Sequence, residues 1–309
     1  MQLLRASLLW ASRNQRMEHL VRSSRAMRPL VSRFMPGESL DEAVAAVRQL
    51  KSDNTPTILT YLGENVASDA AADQTVEEYD RLFGALRGAG ADAHVSIKLT
   101  QFGWDLDRAR ALDRVRGLAR MASANGTILA IDMEGSPYVD STVGAYETLA
   151  REFANVALCL QAYLHRTPAD VQRLLAVKPY IRLVKGAYRE PASVALQSRA
   201  EIDARYRALG QQLLEETKAG GRVVFGTHDL ALVDRIRRDA RDIGVSERAF
   251  EIQMLYGIQD GGRRRLAADG LRTRVLISYG KAWYPWFMRR LAEKPSNLLF
   301  VARNFLPGG

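Results

Sequence analysis

The stretch "IRLVKGAYRE", residues 181–190, begins as a buried strand and then places Arg182 and Lys185 three residues apart, followed by Gly186, Ala187 and Tyr188. Two cations at the end of an apolar strand need an anionic or electron-rich partner. The small Gly-Ala pair lets another group approach the backbone closely. Polar residues stand in the same relation to other apolar runs: Lys98 after "HVSI", Asp132 and Glu134 in "IDMEGS", Gln161 and His165 in "LQAYLHRT", Thr227, His228 and Asp229 in "FGTHD", and Gln253 in "FEIQML". One buried polar group is usually no more than a satisfied hydrogen-bonding group. Repetition at the ends of six strands asks for a shared ligand.

A further segment, "WYPWFMRRLAEKPSN" from 283 to 297, sets Trp283, Trp286, Phe287 and Leu291 on one helical face and brings Arg289 and Arg290 beside Glu293. As packing it needs no further explanation. If the helix overhangs the strand ends, however, the arginine pair grips a carboxylate bidentately and the acid suits an amine. Cationic fork and acid together describe a site for an amino-acid zwitterion.

The absences narrow the chemistry. The four histidines, His19, His94, His165 and His228, are scattered and form no H-x-H pair, which argues against a two-metal hydrolase. There is no G-x-S-x-G elbow, and "YGKAW" lacks the hydroxyl of a phosphate loop. A lyase working through a Schiff base on Lys98 or Lys185 stays open, since it needs only one desolvated lysine.

The elements that must position these residues follow from periodicity. Apolar runs of strand length begin at 57, 93, 127, 156, 180, 222, 250 and 274, and helical periods such as Val76, Tyr79, Phe83 and Leu86 lie between them. No two runs are close enough for a hairpin. The pattern predicts an α/β fold, a (β/α)8 TIM-type barrel over 51–309 with additional N-terminal helices in an arm over 1–50, and a catalytic face at the C-terminal ends of the strands. "GAGADA" at 88–93 matches a dinucleotide fingerprint but closes a helix and opens a strand, so it reads as a turn. Ser39 or the acid before it is a plausible cap for the helix that follows "PGES".

The chain has 309 residues, 47% of them hydrophobic, enough for a large core. Its single cysteine, Cys159, lies in the apolar run "VALCLQAYL", which excludes a disulfide framework and suits a reducing compartment. No apolar stretch approaches the roughly 20 residues of a membrane-spanning helix, and no secretory apolar core follows the start. The net charge is +9, and residues 1–33 hold seven arginines against Glu18 alone. With Leu3, Leu4, Leu8, Leu9 and Trp10, that segment reads as an amphipathic membrane-surface arm, a targeting sequence, or a helix packed on the main domain or a second subunit. Aromatic residues do not interleave with a basic stripe beyond it, so nucleic acid is not an expected partner.

Taken in order, "YLGENV", "SIKLTQFG", "IDMEGS", "LQAYLHRT", "RLVKGAYRE", "FGTHD", "FEIQMLYGI" and "WYPWFMRRLAEKP" resemble the successive motifs of the proline dehydrogenase family, in its monofunctional bacterial form, from about residue 55 to 303. The resemblance implies a distorted barrel holding FAD. It implies oxidation of L-proline to 1-pyrroline-5-carboxylate by hydride transfer to flavin N5, electrons passed to a membrane quinone, and 1-pyrroline-5-carboxylate dehydrogenase as functional partner. It places Arg182 beside flavin N5 and Asp132 at the acidic position that orients the cations, as the catalytic residues. It gives Lys98, Tyr188, Leu255, Arg289, Arg290 and Glu293 to the substrate, with Leu183 also at the ring wall. Met133, Gln161, Val184, Lys185, Gly186, Ala187, Thr227, His228 and Gln253 fall to the cofactor, and no residue to a metal. A cytoplasmic location with peripheral contact at the inner face of the plasma membrane follows as an expectation. The chain departs from the family at "RVLISYG", where Leu276 and Ser278 replace a pattern like R-V-Y-x-P-Y-G, and at Trp286, where many members have tyrosine. Both positions bear on substrate choice, and a preference for hydroxyproline within the same family is the alternative.

Overall fold

The computed structural model describes residues 14–23 and 27–293. Eight strands, β1 (Thr57–Tyr61), β2 (Ala93–Ile97), β3 (Leu129–Ile131), β4 (Val156–Gln161), β5 (Tyr180–Val184), β6 (Arg222–Gly226), β7 (Phe250–Leu255) and β8 (Thr273–Tyr279), close into a barrel in chain order. Every neighbouring pair is parallel, and the barrel closes through β1 and β8 with Ile58 opposite Leu276. All eight fall where the apolar runs predict them. Strands buried on both faces must be apolar at nearly every position, which is why these runs are continuous rather than alternating. Leu59, Val95, Leu158 and Leu183 join the shell between barrel and helices, whereas Ile58, Ala130 and Ala157 fill the interior.

Helix Leu40–Ser52 starts at a capping box: Ser39 Oγ accepts from the Glu42 N–H, and the Ser39 N–H donates to Glu42 Oε2 at 2.9 Å. It packs on β1, β8 and the helix Asp69–Ala89. That slot in the outer ring is the one the helix after β8 would fill in a regular barrel. The helix that does follow β8, Trp283–Glu293, belongs instead to a separate apolar cluster with Met27, Leu30, Phe34, Met35, Leu62 and Ile258. Leu62 follows β1 and Ile258 follows β7, so this helix lies over the C-terminal mouth of the barrel. Trp283 Nε1 donates to Glu38 Oε1 at 2.6 Å and fastens its first turn. Within the N-terminal segment, Val21 of helix Gln15–Ser23 packs on the same cluster; Leu3, Leu4, Leu8, Leu9 and Trp10 lie outside the described residues.

The opposite end of the barrel is closed by charge. Arg274, fully buried, donates from Nε to Glu251 Oε1 at 2.8 Å and from Nη1 to the Thr57 carbonyl and Asp92 Oδ1, each at 2.9 Å. Burial and the neighbouring Arg274 push the imidazolium of His94 down to about 3, so the ring is neutral. Among the described residues no helix is long and apolar enough to cross a membrane.

Candidate active site

Arg182 projects from β5 into the barrel and is buried, with Nη2 donating to Asp132 Oδ1. Ser96 Oγ donates to the same carboxylate oxygen at 2.7 Å, and Arg182 Nη2 lies 3.4 Å from Ser96 Oγ. A serine from β2, an aspartate just after β3 and an arginine from β5 are thus locked into one unit. Burial pushes the guanidinium down to about 10, which leaves it charged at neutral pH. A fixed, desolvated cation of this kind stabilises negative charge that develops nearby.

The second group surrounds Lys98, at the end of β2. Its ammonium is buried and stands 3.9 Å from Glu64 Oε1, which also accepts from Arg289 Nη2 at 2.8 Å. Burial holds Lys98 below its ordinary value; Glu64 and Glu134 act against that, while Arg289 and Arg182 add to it. Glu134 is itself buried and raised by burial, and accepts from the Thr100 N–H at 3.2 Å and Thr100 Oγ1 at 2.7 Å. The guanidinium of Arg289 lies 5.5 Å from the centre of the Tyr188 ring, and that of Arg290 5.9 Å from Trp286. Lys98, Arg289 and Tyr188 therefore meet around Glu64. Glu293 ends its helix, and its side chain lies outside the described residues.

A third set ties the loops at the mouth together. Gln161, at the end of β4, donates from Nε2 to the Glu134 carbonyl at 3.0 Å and accepts the Ala187 N–H on Oε1 at 3.1 Å. Gly186 has φ +136, and a Cβ there would run into the ring of Tyr163, so only glycine fits. Lys185 Nζ is 2.5 Å from Asp203 and 3.3 Å from Asp229, away from Lys98's group. Thr227 Oγ1 accepts the Asp229 N–H at 3.2 Å, and His228 Nε2 accepts the Leu255 N–H at 2.9 Å. Met133, just after β3, is buried, and Val184, at the end of β5, is half-buried. Gln253 turns its amide inward, donating to Glu251 Oε1 at 2.9 Å beneath the mouth.

Two members of the site carried no signal of their own in the sequence. Glu64 is one acid in a loop and Ser96 one hydroxyl in an apolar strand; only their partners, Arg289 and Asp132, were marked by spacing.

The proline dehydrogenase family model matches residues 43–303. The chain belongs to the proline dehydrogenase family. Family membership removes the Schiff-base lyase as a reading of Lys98. A proline dehydrogenase of Deinococcus radiodurans is 37% identical over 99% of both chains. Proline dehydrogenase 1 of Bacillus subtilis is 34% identical over 89% of this chain and 90% of its own. Among solved structures, proline utilization A from Bdellovibrio bacteriovorus, inactivated by N-propargylglycine, superposes with a TM-score of 0.81 at 24% identity, over 90% of this chain and 34% of that one. That likeness concerns the fold, and the barrel agrees with it.

Proposed function

We propose that this chain oxidises L-proline to 1-pyrroline-5-carboxylate, with FAD as cofactor and a membrane quinone as final oxidant. The observation that carries the reading is the Arg182–Asp132–Ser96 unit, a buried cation held rigidly at the barrel mouth beside a second cationic group suited to a carboxylate. The residues present fit a flavin: Lys185 brings a cation and Gln161 offers an amide, while the close approach at Gly186 is taken by the ring of Tyr163. Met133, Val184, Thr227 and His228 would complete the cradle. When bound, FAD supplies a two-electron acceptor that takes hydride at N5 and becomes more negative.

Arg289 and Arg290 hold the substrate carboxylate, and Lys98 adds a third positive charge. Glu293 serves the substrate amine. Tyr188 and Leu255 wall the ring, whereas Leu183, which the resemblance also gave to it, is buried in the shell between barrel and helices and does not reach it. Arg182 would stabilise the negative charge gained by the hydride acceptor, and Asp132 and Ser96 keep its guanidinium from swinging away. Arg182 is thereby the catalytic residue, and Asp132, the second residue given a catalytic part by the resemblance, positions it together with Ser96. The product, a cyclic imine in equilibrium with an aldehyde, requires a dehydrogenase acting on 1-pyrroline-5-carboxylate as functional partner, and a quinone acceptor requires peripheral contact with the membrane's inner face.

The test is product formation. Purified protein, L-proline and a soluble quinone analogue should yield an imine that condenses with o-aminobenzaldehyde. Acceptor reduction without that adduct would contradict the reaction.

A further inference from the structure

The loop after β5 carries Tyr188 and is tied to its neighbours on both sides of that residue. Before it, the Ala187 N–H donates to Gln161 Oε1 at 3.1 Å, and Gln161 Nε2 donates to the Glu134 carbonyl at 3.0 Å. At the residue itself, the Tyr163 hydroxyl donates to the Tyr188 carbonyl at 3.2 Å. After it stands Glu190, the last residue of "IRLVKGAYRE" and a charged group to which the proposed reaction gives no part.

Both oxygens of the Glu190 carboxylate are engaged by one residue. Oε1 accepts the Ser136 N–H at 2.7 Å, and Oε2 accepts from Ser136 Oγ at 2.6 Å. A carboxylate that accepts from a backbone N–H and a hydroxyl at once makes two charge-assisted bonds. Ser136 opens the short helix Ser136–Tyr138 in the loop after β3, the loop that also carries Asp132 and Glu134. Between Glu134 and Ser136, a Cβ on Gly135 would stand 3.7 Å from Glu190 Oε1 and 4.0 Å from Tyr188 Cδ1, so the carboxylate and the ring both flank that glycine. The same ring has the guanidinium of Arg289 5.5 Å from its centre. A tyrosine ring turns about only two side-chain torsions, so a backbone held on both sides of it fixes where the ring can go.

We infer that Glu190 is a positioning residue for the wall of the substrate ring. By gripping Ser136 it locks the β3 loop to the β5 loop and holds Tyr188 in place beside Arg289. The inference rests on the proposed role of Tyr188. Glu190 acts through that tyrosine and is not itself a catalytic residue.

The test reads affinity apart from rate. In Glu190→Ala, the inhibition constant of cyclopentanecarboxylate and the KM for L-proline should rise by about threefold to thirtyfold, the scale for a substitution that touches no ligand itself. The anaerobic rate of flavin reduction at saturating proline and the FAD content should change little. Glu190→Gln should restore the affinity, because its amide oxygen accepts the Ser136 N–H while its amide nitrogen donates to Ser136 Oγ. In a Tyr188→Ala background, Glu190→Ala should add nothing, since residues that act through one another are not additive. Losses that add in full, or unaltered affinity in Glu190→Ala, would overturn the inference and leave the role of Tyr188 standing. So would a rate, affinity and FAD content that fall together and are not restored by glutamine, the mark of a merely structural role. Unaltered affinity in Tyr188→Ala alone would instead defeat the proposed role of Tyr188, and the inference with it. Should Glu190→Ala not fold, Ser136→Ala keeps the backbone N–H and loses only the hydroxyl. A smaller loss of affinity there, again absent in the Tyr188→Ala background, supports the inference, and no loss overturns it.

Discussion

Arg289 donates from Nη2 to Glu64 Oε1 at 2.8 Å, which puts a carboxylate of the protein itself on a guanidinium assigned to the substrate carboxylate. The two residues are 225 positions apart, one in the loop after β1 and one on the helix over the mouth. On the proposed reading, substrate carboxylate and Glu64 would compete for, or share, the same cation.

Replacing Arg289 or Arg290 by methionine should therefore weaken binding of a saturated five-membered-ring carboxylate by roughly 2 to 4 kcal/mol, the scale for truncating one partner of a buried charge pair. Glu64→Gln should leave that affinity intact or improve it, because it frees the guanidinium. Competitive inhibition constants measure both. Equal losses in Glu64→Gln and Arg289→Met would show that the ion pair is only a structural fastening.

Arg182→Met should slow flavin reduction by about a hundredfold or more while proline binding changes little, since the cation matters most where charge develops. Stopped-flow reduction over a range of proline concentrations separates the two. A loss confined to binding would place Arg182 with the substrate residues.

The pH dependence follows from Lys98. Burial lowers its pKa, so the ammonium is charged at low pH and loses its proton, as pH rises, below the ordinary lysine range. Binding of a ring carboxylate that lacks an amine should accordingly weaken as pH rises through that lowered value. Glu134 favours the charged ammonium. In Glu134→Gln the pKa should fall further, and the weakening should begin at lower pH. Titration of inhibitor affinity decides, and a shift to higher pH would contradict the assignment.

The barrel was legible because strands buried on both faces must be continuously apolar, and helices between them must repeat every three to four residues. The cations and amides at the strand ends were legible for the complementary reason, that they interrupt apolar runs. Glu64 was not, because its meaning depends on Arg289, and a loop has no period to depart from. Nor was the slot taken by Leu40–Ser52, which is decided by contacts with β1 and β8 rather than by the helix's own residues. The inward turn of Gln253 was likewise hidden, since it depends on Glu251, two residues earlier on the same strand.

On the proposed reading, Leu276 would bear on substrate choice. Its side chain packs against the interior cluster of Ile58, Ala130 and Ala157. An apolar group there offers a ring hydroxyl no partner, and an unsatisfied hydroxyl costs about 1 to 3 kcal/mol. Proline should be preferred over trans-4-hydroxy-L-proline by about one to two powers of ten in kcat/KM. Comparison of the two substrates in the wild type and in Leu276→Tyr tests this, and equal or faster turnover of hydroxyproline by the wild type would make hydroxyproline the substrate.

The most direct measurement of the central claim is the visible spectrum of the purified protein before and after L-proline is added without oxygen. The account predicts flavin absorbance at one FAD per chain, bleached by proline and restored by a quinone analogue. A colourless protein that still turns over proline, or a bound flavin that proline leaves oxidised, would contradict it.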